Sequence, residues 1–144
     1  MTEHQRMLKL LSQNKQALAT ALNLDPQKIW IRYTEYPFDN QSEEKADMIF
    51  HDKFSPYKAD PNTTCFIVEL KSDCIDHEVL GQIHKTFDPL SKRGKATNQW
   101  GPIKGVAIAP KFTKSALTLL TNSGITCLLW TELDNNLSLK IPSL

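Results

Sequence analysis

The sequence predicts an α/β domain in which a mixed central β-sheet is flanked by helices. Apolar residues recur at helical spacing in three segments, and β-branched and aromatic runs stand between these segments. The most apolar run, 64–71, predicts a central strand that is buried on both faces. The predicted order of elements is α-β-β-β-α-β-α-β-β, which is typical of a two-sided α/β arrangement.

The first half of the chain predicts one helix and three strands. Thr2 and Gln5 have the spacing of a capping box, and apolar residues then follow at helical spacing. A helix is therefore predicted over 3–22, ending before the Asp25-Pro26 pair. The three strands, which are rich in β-branched and aromatic residues, are predicted at 29–36, 46–50 and 64–71.

The second half alternates helices and strands. An apolar stripe between positions 79 and 90 predicts a helix that Asp73 or Asp76 caps. Another helix is predicted over 113–120, and Gly124 ends it. The remaining strands are predicted at 105–109, 125–130 and 137–141.

Length and composition bound the class of protein. The 144 residues are 40% hydrophobic and 23% charged, which is typical of a globular chain. We expect a single domain over 1–144. No apolar run approaches the roughly 20 residues that a membrane span needs, so no membrane partner is expected. The three cysteines form no CxxC pair and no signal peptide is predicted, so we expect a reducing intracellular compartment, cytoplasmic or nucleoid-associated.

Charge is unevenly distributed although the net charge is only +1. Residues 25–83 are acidic overall, whereas residues 84–114 hold seven Lys and Arg against one Asp. This pattern is what a metal site beside a phosphate-binding surface would show, and a solvated surface would show it too.

The most distinctive local feature is the polar end of the apolar strand 64–71. Strand side chains alternate, so Glu69 and Lys71 share one face while Leu70 points into the core. Asp47 lies on the preceding predicted strand, which gives the spacing D-x21-E-x-K. If the two strands pair as antiparallel neighbours, Asp47 lies close to Glu69.

Two neighbouring carboxylates repel each other unless a cation lies between them. Oxygen ligands select Mg²⁺, for which Mn²⁺ is expected to substitute, and argue against zinc. Such an ion holds a phosphate oxygen and lowers the pKa of a bound water. Lys71 on the same face could orient that water or neutralise growing negative charge. The residues therefore predict a metal-dependent phosphodiester hydrolase.

At these residues the chain resembles the PD-(D/E)xK nuclease superfamily, which includes Holliday-junction resolvases and restriction enzymes. The resemblance covers about 3–131 and implies a restriction-endonuclease-like core. It implies that Asp47 and Glu69 bind the metal and that Lys71 is the catalytic lysine. The carbonyl of Leu70 would add a ligand, and Gln82 in the run Gly81-Gln82-Ile83 would be an auxiliary active-site residue.

The sequence also departs from the pattern of that superfamily. Asp47 follows Ala46 rather than proline, and the loop 53–63 lengthens the gap between the two acids. Some members carry a further acid on the first helix. Glu3 is the only acid of the predicted first helix, so it is the only residue there that could take this place.

The expected nucleic-acid contacts lie on the segment 85–100, which begins within the second predicted helix and continues through the long connection to the next strand. Its basic side chains would contact phosphates, and its tryptophan would stack on a base. The alternative is a solvated loop. The residues concerned are Lys85, Lys92, Arg93, Lys95 and Trp100.

The sequence therefore predicts a Mg²⁺-dependent endonuclease that hydrolyses DNA. It would be structure-specific or part of a repair, phage or defence system, and would act as a homodimer or within a larger nuclease complex. A non-catalytic module that binds nucleic acid or protein on the same fold is the main alternative, and the near-zero net charge favours it. An enzyme that acts on RNA or on a small phosphodiester is a third hypothesis.

Overall fold

The computed structural model describes residues 1–36, 46–55, 60, 62–81, 83, 87 and 102–143. The helices are α1 Glu3–Ser12, α2 Lys15–Leu22 and α3 Lys114–Asn122. The strands are β1 Trp30–Thr34, β2 Met48–His51, β3 Cys65–Leu70, β4 Cys74–Ile75, β5 Ile103–Ala109, β6 Lys111–Phe112, β7 Thr126–Leu133 and β8 Asn136–Lys140. Helical backbone also occurs at Leu80, Gly81, Ile83 and Phe87.

Six strands form one mixed sheet in the order β1-β2-β3-β5-β7-β8. The central strands β3, β5 and β7 are parallel. Antiparallel pairing adds β2 and β1 on one side and β8 on the other. The predicted α/β class with a mixed sheet is therefore confirmed. The short strands β4 and β6, which were not predicted, form a separate parallel pair.

The sheet is buried on both faces, and β3 contributes to both cores. Phe66, Val68 and Leu70 pack with α1 and α2 on one face. Cys65 and Ile67 pack on the other face, with α3 and with Leu80, Ile83 and Phe87. Every residue of β3 is buried, as the apolar run predicted.

The predicted helix over 3–22 is wrong in one respect, because it is two helices. The Oγ of Ser12 donates to the carbonyl of Leu8 at 2.8 Å, and the Nδ2 of Asn14 donates to the carbonyl of Leu10 at 2.7 Å. Short polar side chains compete in this way with the helical hydrogen bonds of the main chain. The polar run 12–14 therefore ends α1 although the apolar periodicity continues.

Small residues on β5 let the ring of Phe87 approach the sheet. A Cβ on Gly105 would lie 3.3 Å from two ring carbons of Phe87. Ala107 and Ala109 follow on the same face and are fully buried. This face of β5 is next to the face of β3 that carries Glu69, because Glu69 is in register with Ala107.

In the second half of the chain, the strands predicted at 105–109, 125–130 and 137–141 and the helix predicted over 113–120 are present, whereas most of the helix predicted between 79 and 90 lies outside the described residues. Thr113 caps α3, and Gly124 follows the helix with φ +80°. The strands β7 and β8 form a hairpin through Asp134 and Asn135, both at positive φ. Among the residues that the structure describes, no helix is long and apolar enough to cross a membrane.

Candidate active site

Asp47 and Glu69 lie side by side where β2 begins and β3 ends. The strands pair in antiparallel register with Met48 opposite Val68, so the next pair outward is Asp47 and Glu69. The predicted pairing of these two strands is confirmed. Both acids are buried, with 6% of Asp47 and 8% of Glu69 exposed. The Oδ2 of Asp47 accepts a hydrogen bond from the main-chain N–H of Leu70 at 2.7 Å.

Glu69 is a buried carboxylate of which one oxygen is paired with Lys71 and the other has no described hydrogen-bond partner. Its Oε1 lies 3.4 Å from the Nζ of Lys71. Its Oε2 is buried and has no hydrogen-bond partner within the described part of the chain. Burial, and then the charge of Asp47, raise the pKa of Glu69 to about 7, although Lys71 opposes this shift. Among the described residues, Lys71 therefore pairs with one oxygen of Glu69, and none pairs with the other oxygen.

Two further residues meet Asp47, and sequence reasoning missed both. The Nε2 of His4 lies 3.2 Å from the Oδ1 of Asp47. One potential ligand atom from each of His4, Glu35 and Asp47 lies within 4.8 Å of the other two. The hydrogen bond to Asp47 raises the pKa of His4, while burial and then the charge of Asp47 raise the pKa of Glu35.

Hydrogen bonds of the main chain and a helix cap position Glu35 and His4. Glu35 follows β1, and its N–H donates to the carbonyl of Asp47 at 3.1 Å. His4 is in the first turn of α1, whose start is held by the reciprocal capping box of Thr2 and Gln5. The capping spacing predicted the start of the helix. It gave no information on which part of the sheet the first turn would face.

Glu3, in contrast, takes part in a separate surface network. Its carboxylate pairs with Arg6, and Arg6 also pairs with Glu132 on β7. The indole N–H of Trp130 donates to Glu132 at 2.8 Å. Of the first-turn residues of α1, it is thus His4 that contacts Asp47.

The predicted nucleic-acid contacts and the glutamine fall outside the described residues. They are Gln82, Lys85, Lys92, Arg93, Lys95 and Trp100. Of the three described lysines of the basic segment, Lys104 is exposed near the amino end of β5, and Lys111 and Lys114 are exposed beyond its carboxyl end. That is the edge of the sheet at which Lys71 emerges, because the Lys71 N–H donates to the carbonyl of Ile108 at 2.9 Å.

The donor set fits a divalent cation that prefers oxygen ligands. Asp47 and Glu35 supply carboxylates and His4 adds one nitrogen, and the buried carboxylate of Glu69 lies next to this group, beside Asp47. The buried Oε2 of Glu69 has no protein partner in the described structure that would satisfy it. Buried carboxylates of this kind are generally paired with a cation or a hydrogen-bond donor.

Comparison with known proteins bears on the fold. No family model matches this sequence, and no curated protein matches it significantly. Among solved structures, a repair endonuclease from Pyrococcus abyssi matches with a TM-score of 0.55 and 18% sequence identity. The chain shares its fold with part of this endonuclease. The match covers 94% of this chain and 46% of that one, so the chain spans less than half of the neighbour's length.

Proposed function

We propose that the protein is a metal-dependent endonuclease that hydrolyses phosphodiester bonds in DNA. The observation that carries the proposal is the buried Glu69, which is a neighbour of both Asp47 and Lys71 and has one oxygen without a hydrogen-bond partner among the described residues. The fold similarity to a repair endonuclease supports the same conclusion. Under this proposal the chain has a restriction-endonuclease-like core of the PD-(D/E)xK type, and residues 1–144 act as one domain.

Asp47, Glu69 and the carbonyl of Leu70 would hold Mg²⁺, with Mn²⁺ able to substitute. When bound, the ion would polarise a phosphate oxygen and lower the pKa of a water molecule. The protein itself contributes by holding the two carboxylates in fixed positions. The hydrogen bond from the Leu70 N–H fixes one oxygen of Asp47, and strand pairing fixes Glu69 beside it.

Lys71 would act next to the water and the phosphate. Its ammonium group is close to Glu69, and 28% of its side chain is exposed. It can therefore contact a substrate that approaches this edge of the sheet. A positive charge there stabilises the negative charge that grows on the phosphate during hydrolysis.

The remaining parts of the proposal concern substrate contacts. Gln82 would assist at the active site, and the basic residues of the segment 85–100 with Trp100 would bind DNA. Lys111 and Lys114 are exposed at the same sheet edge as Lys71, which is compatible with a phosphate-binding surface there. Cleavage of both strands of a duplex needs two sites, so we propose a homodimer or a larger nuclease complex.

Incubation with nucleic acid tests the proposal directly. Supercoiled, linear and branched DNA, RNA and a chromogenic diester would each be incubated with Mg²⁺, with Mn²⁺ and with EDTA. Asp47→Asn, Glu69→Gln and Lys71→Met would be compared with the control Glu3→Gln, which changes an exposed acid of the Arg6 network. We expect metal-dependent DNA cleavage that the first three substitutions abolish and the control retains.

Other outcomes separate the alternatives. Cleavage of RNA or of the small diester, but not of DNA, would replace DNA as the substrate. Metal binding that depends on Asp47 without any cleavage would mean that the chain needs a partner subunit. Absence of both cleavage and metal binding, with DNA or protein binding retained, would support a non-catalytic module on this fold.

A further inference from the structure

Asp47 is surrounded by more potential ligands than the acid pair alone provides. His4 from α1 and Glu35 from the end of β1 each place one ligand atom within 4.8 Å of the other and of Asp47. Glu69 is near enough for its charge to act on His4. Two carboxylates and one imidazole therefore converge from three separate segments of the chain, and Glu69 lies beside Asp47 on the neighbouring strand.

A second observation indicates that this cluster serves a ligand. The Oε2 of Glu69 is buried without a hydrogen-bond partner among the described residues, although the residue as a whole is only 8% exposed. Glu35 is half-buried and has no described cationic partner apart from His4. A cation between these groups would satisfy negative charge that the described side chains leave only partly compensated.

We infer that His4 and Glu35 complete the metal centre with Asp47 and Glu69, and that the imidazole shifts its preference from Mg²⁺ to Mn²⁺. This inference rests on the proposed function, because it concerns the same metal. Mg²⁺ is usually held by one or two carboxylates and keeps several waters. Three carboxylates leave the site mainly hard, and one imidazole adds a nitrogen that first-row transition ions accept more readily than Mg²⁺ does.

The alternative for His4 is a purely positioning role, in which it hydrogen-bonds Asp47 and never contacts the ion. The two roles predict different metal dependence. Loss of a positioning residue weakens the binding of both ions in proportion. Loss of a nitrogen ligand weakens the binding of Mn²⁺ much more than that of Mg²⁺.

Metal binding is measured by calorimetry on the full chain in the absence of nucleic acid. Wild type is compared with His4→Gln, His4→Asp and Glu35→Gln, with the exposed residues His77→Gln and Glu3→Gln as matched controls. Pulsed electron paramagnetic resonance on the Mn²⁺-loaded protein detects a directly bound imidazole nitrogen. Circular dichroism and melting in EDTA establish that each variant is folded.

We expect wild type to bind Mn²⁺ about tenfold or more tightly than Mg²⁺, and His4→Gln to lose roughly 10–100-fold in Mn²⁺ affinity with a much smaller change for Mg²⁺. The nitrogen coupling should disappear in this variant. His4→Asp, which restores an oxygen ligand, should favour Mg²⁺. Glu35→Gln should weaken both ions, and the two controls should leave both affinities unchanged.

The experiment distinguishes failure of the ligand roles of His4 and Glu35 from failure of the metal site itself. Equal loss of Mn²⁺ and Mg²⁺ binding in His4→Gln, without nitrogen coupling in wild type, would overturn the ligand role of His4. Unchanged affinities in Glu35→Gln would remove Glu35 from the centre. Both results would leave the proposed nuclease intact. A wild-type protein that binds neither ion, or binds them independently of Asp47, would refute the metal site itself.

Discussion

Asp47 reaches from the start of β2 to the end of β3, where its Oδ2 accepts a hydrogen bond from the main-chain N–H of Leu70 at 2.7 Å. This bond is buried. The carboxylate therefore has a structural task in addition to the proposed metal ligation, and its two roles can be separated by substitution.

Asp47→Ala is expected to destabilise the protein by about 1–3 kcal/mol, because it leaves the buried Leu70 N–H without an acceptor. Asp47→Asn keeps a side-chain oxygen at this position and should lose much less stability, while metal binding falls in both variants. Urea unfolding in EDTA gives the free energies. Equal stability of the two variants would show that the Leu70 hydrogen bond contributes little.

Glu69 should make the metal-free protein less stable as the pH rises. Its pKa is raised from 4.5 to about 7 in the folded state, so the unfolded chain releases this proton at lower pH than the folded chain does. The contribution of neutral Glu69 is fully present below pH 4.5 and is lost as the pH rises through 7.

Glu69→Gln removes this titration and should therefore gain stability over wild type between pH 4.5 and 7. The raised pKa of Glu69 corresponds to a loss of roughly 3 kcal/mol in the free energy of unfolding of wild type above pH 7. The measurement is urea unfolding at several pH values in EDTA. A constant difference between the two proteins across this range would contradict the raised pKa.

His51 should act in the opposite direction at the other end of β2. Burial, and then the charge of Arg32, lower the pKa of His51, and its ring stacks on Trp30 at 5.4 Å. Because the unfolded chain binds this proton more readily, wild type should lose stability as the pH falls below 6.5. His51→Phe keeps a ring against Trp30 and should lose less stability between pH 7.5 and 5.5.

Gly81 should be replaceable with a gain in stability. It is exposed and helical, and a Cβ added there would meet no atom of the described structure within 4 Å. Gly81→Ala should therefore raise the free energy of unfolding by about 0.5–1 kcal/mol. Gly105→Ala is the contrasting control, since its Cβ would lie 3.3 Å from the ring of Phe87. A loss of DNA cleavage by the more stable Gly81→Ala would indicate that a DNA backbone approaches this position.

Sequence reasoning worked best where one pattern had one structural solution. The apolar residues 65–68 predicted a strand in the middle of a sheet, and the alternation of the residues that follow them placed Glu69 and Lys71 on one face. The approach of Asp47 to Glu69 then followed from antiparallel pairing. These steps depend on strand geometry within a few residues, which the sequence determines.

The helix break and the contacts of His4 and Glu35 with Asp47 depend on side-chain hydrogen bonds and tertiary packing, which local sequence patterns do not predict. The break at Ser12 and Asn14 arises from two side-chain hydrogen bonds within an otherwise helical periodicity. His4 contacts Asp47 because the apolar face of α1 packs on the sheet, and Glu35 lies near Asp47 because β1 pairs with β2. Glu3 is the acid that the sequence offers on the first helix, whereas the next residue, His4, is the one that contacts Asp47.

The register of β2 and β3 has a consequence for how such proteins can diverge. The connection over 52–64 leaves the hairpin at the pair His51 and Cys65, whereas the two acids lie at its opposite end. Residues inserted into or deleted from that connection would not move Asp47 relative to Glu69. The number of residues between the two acids is therefore free to drift during evolution, and chains with very different spacing can carry the same site.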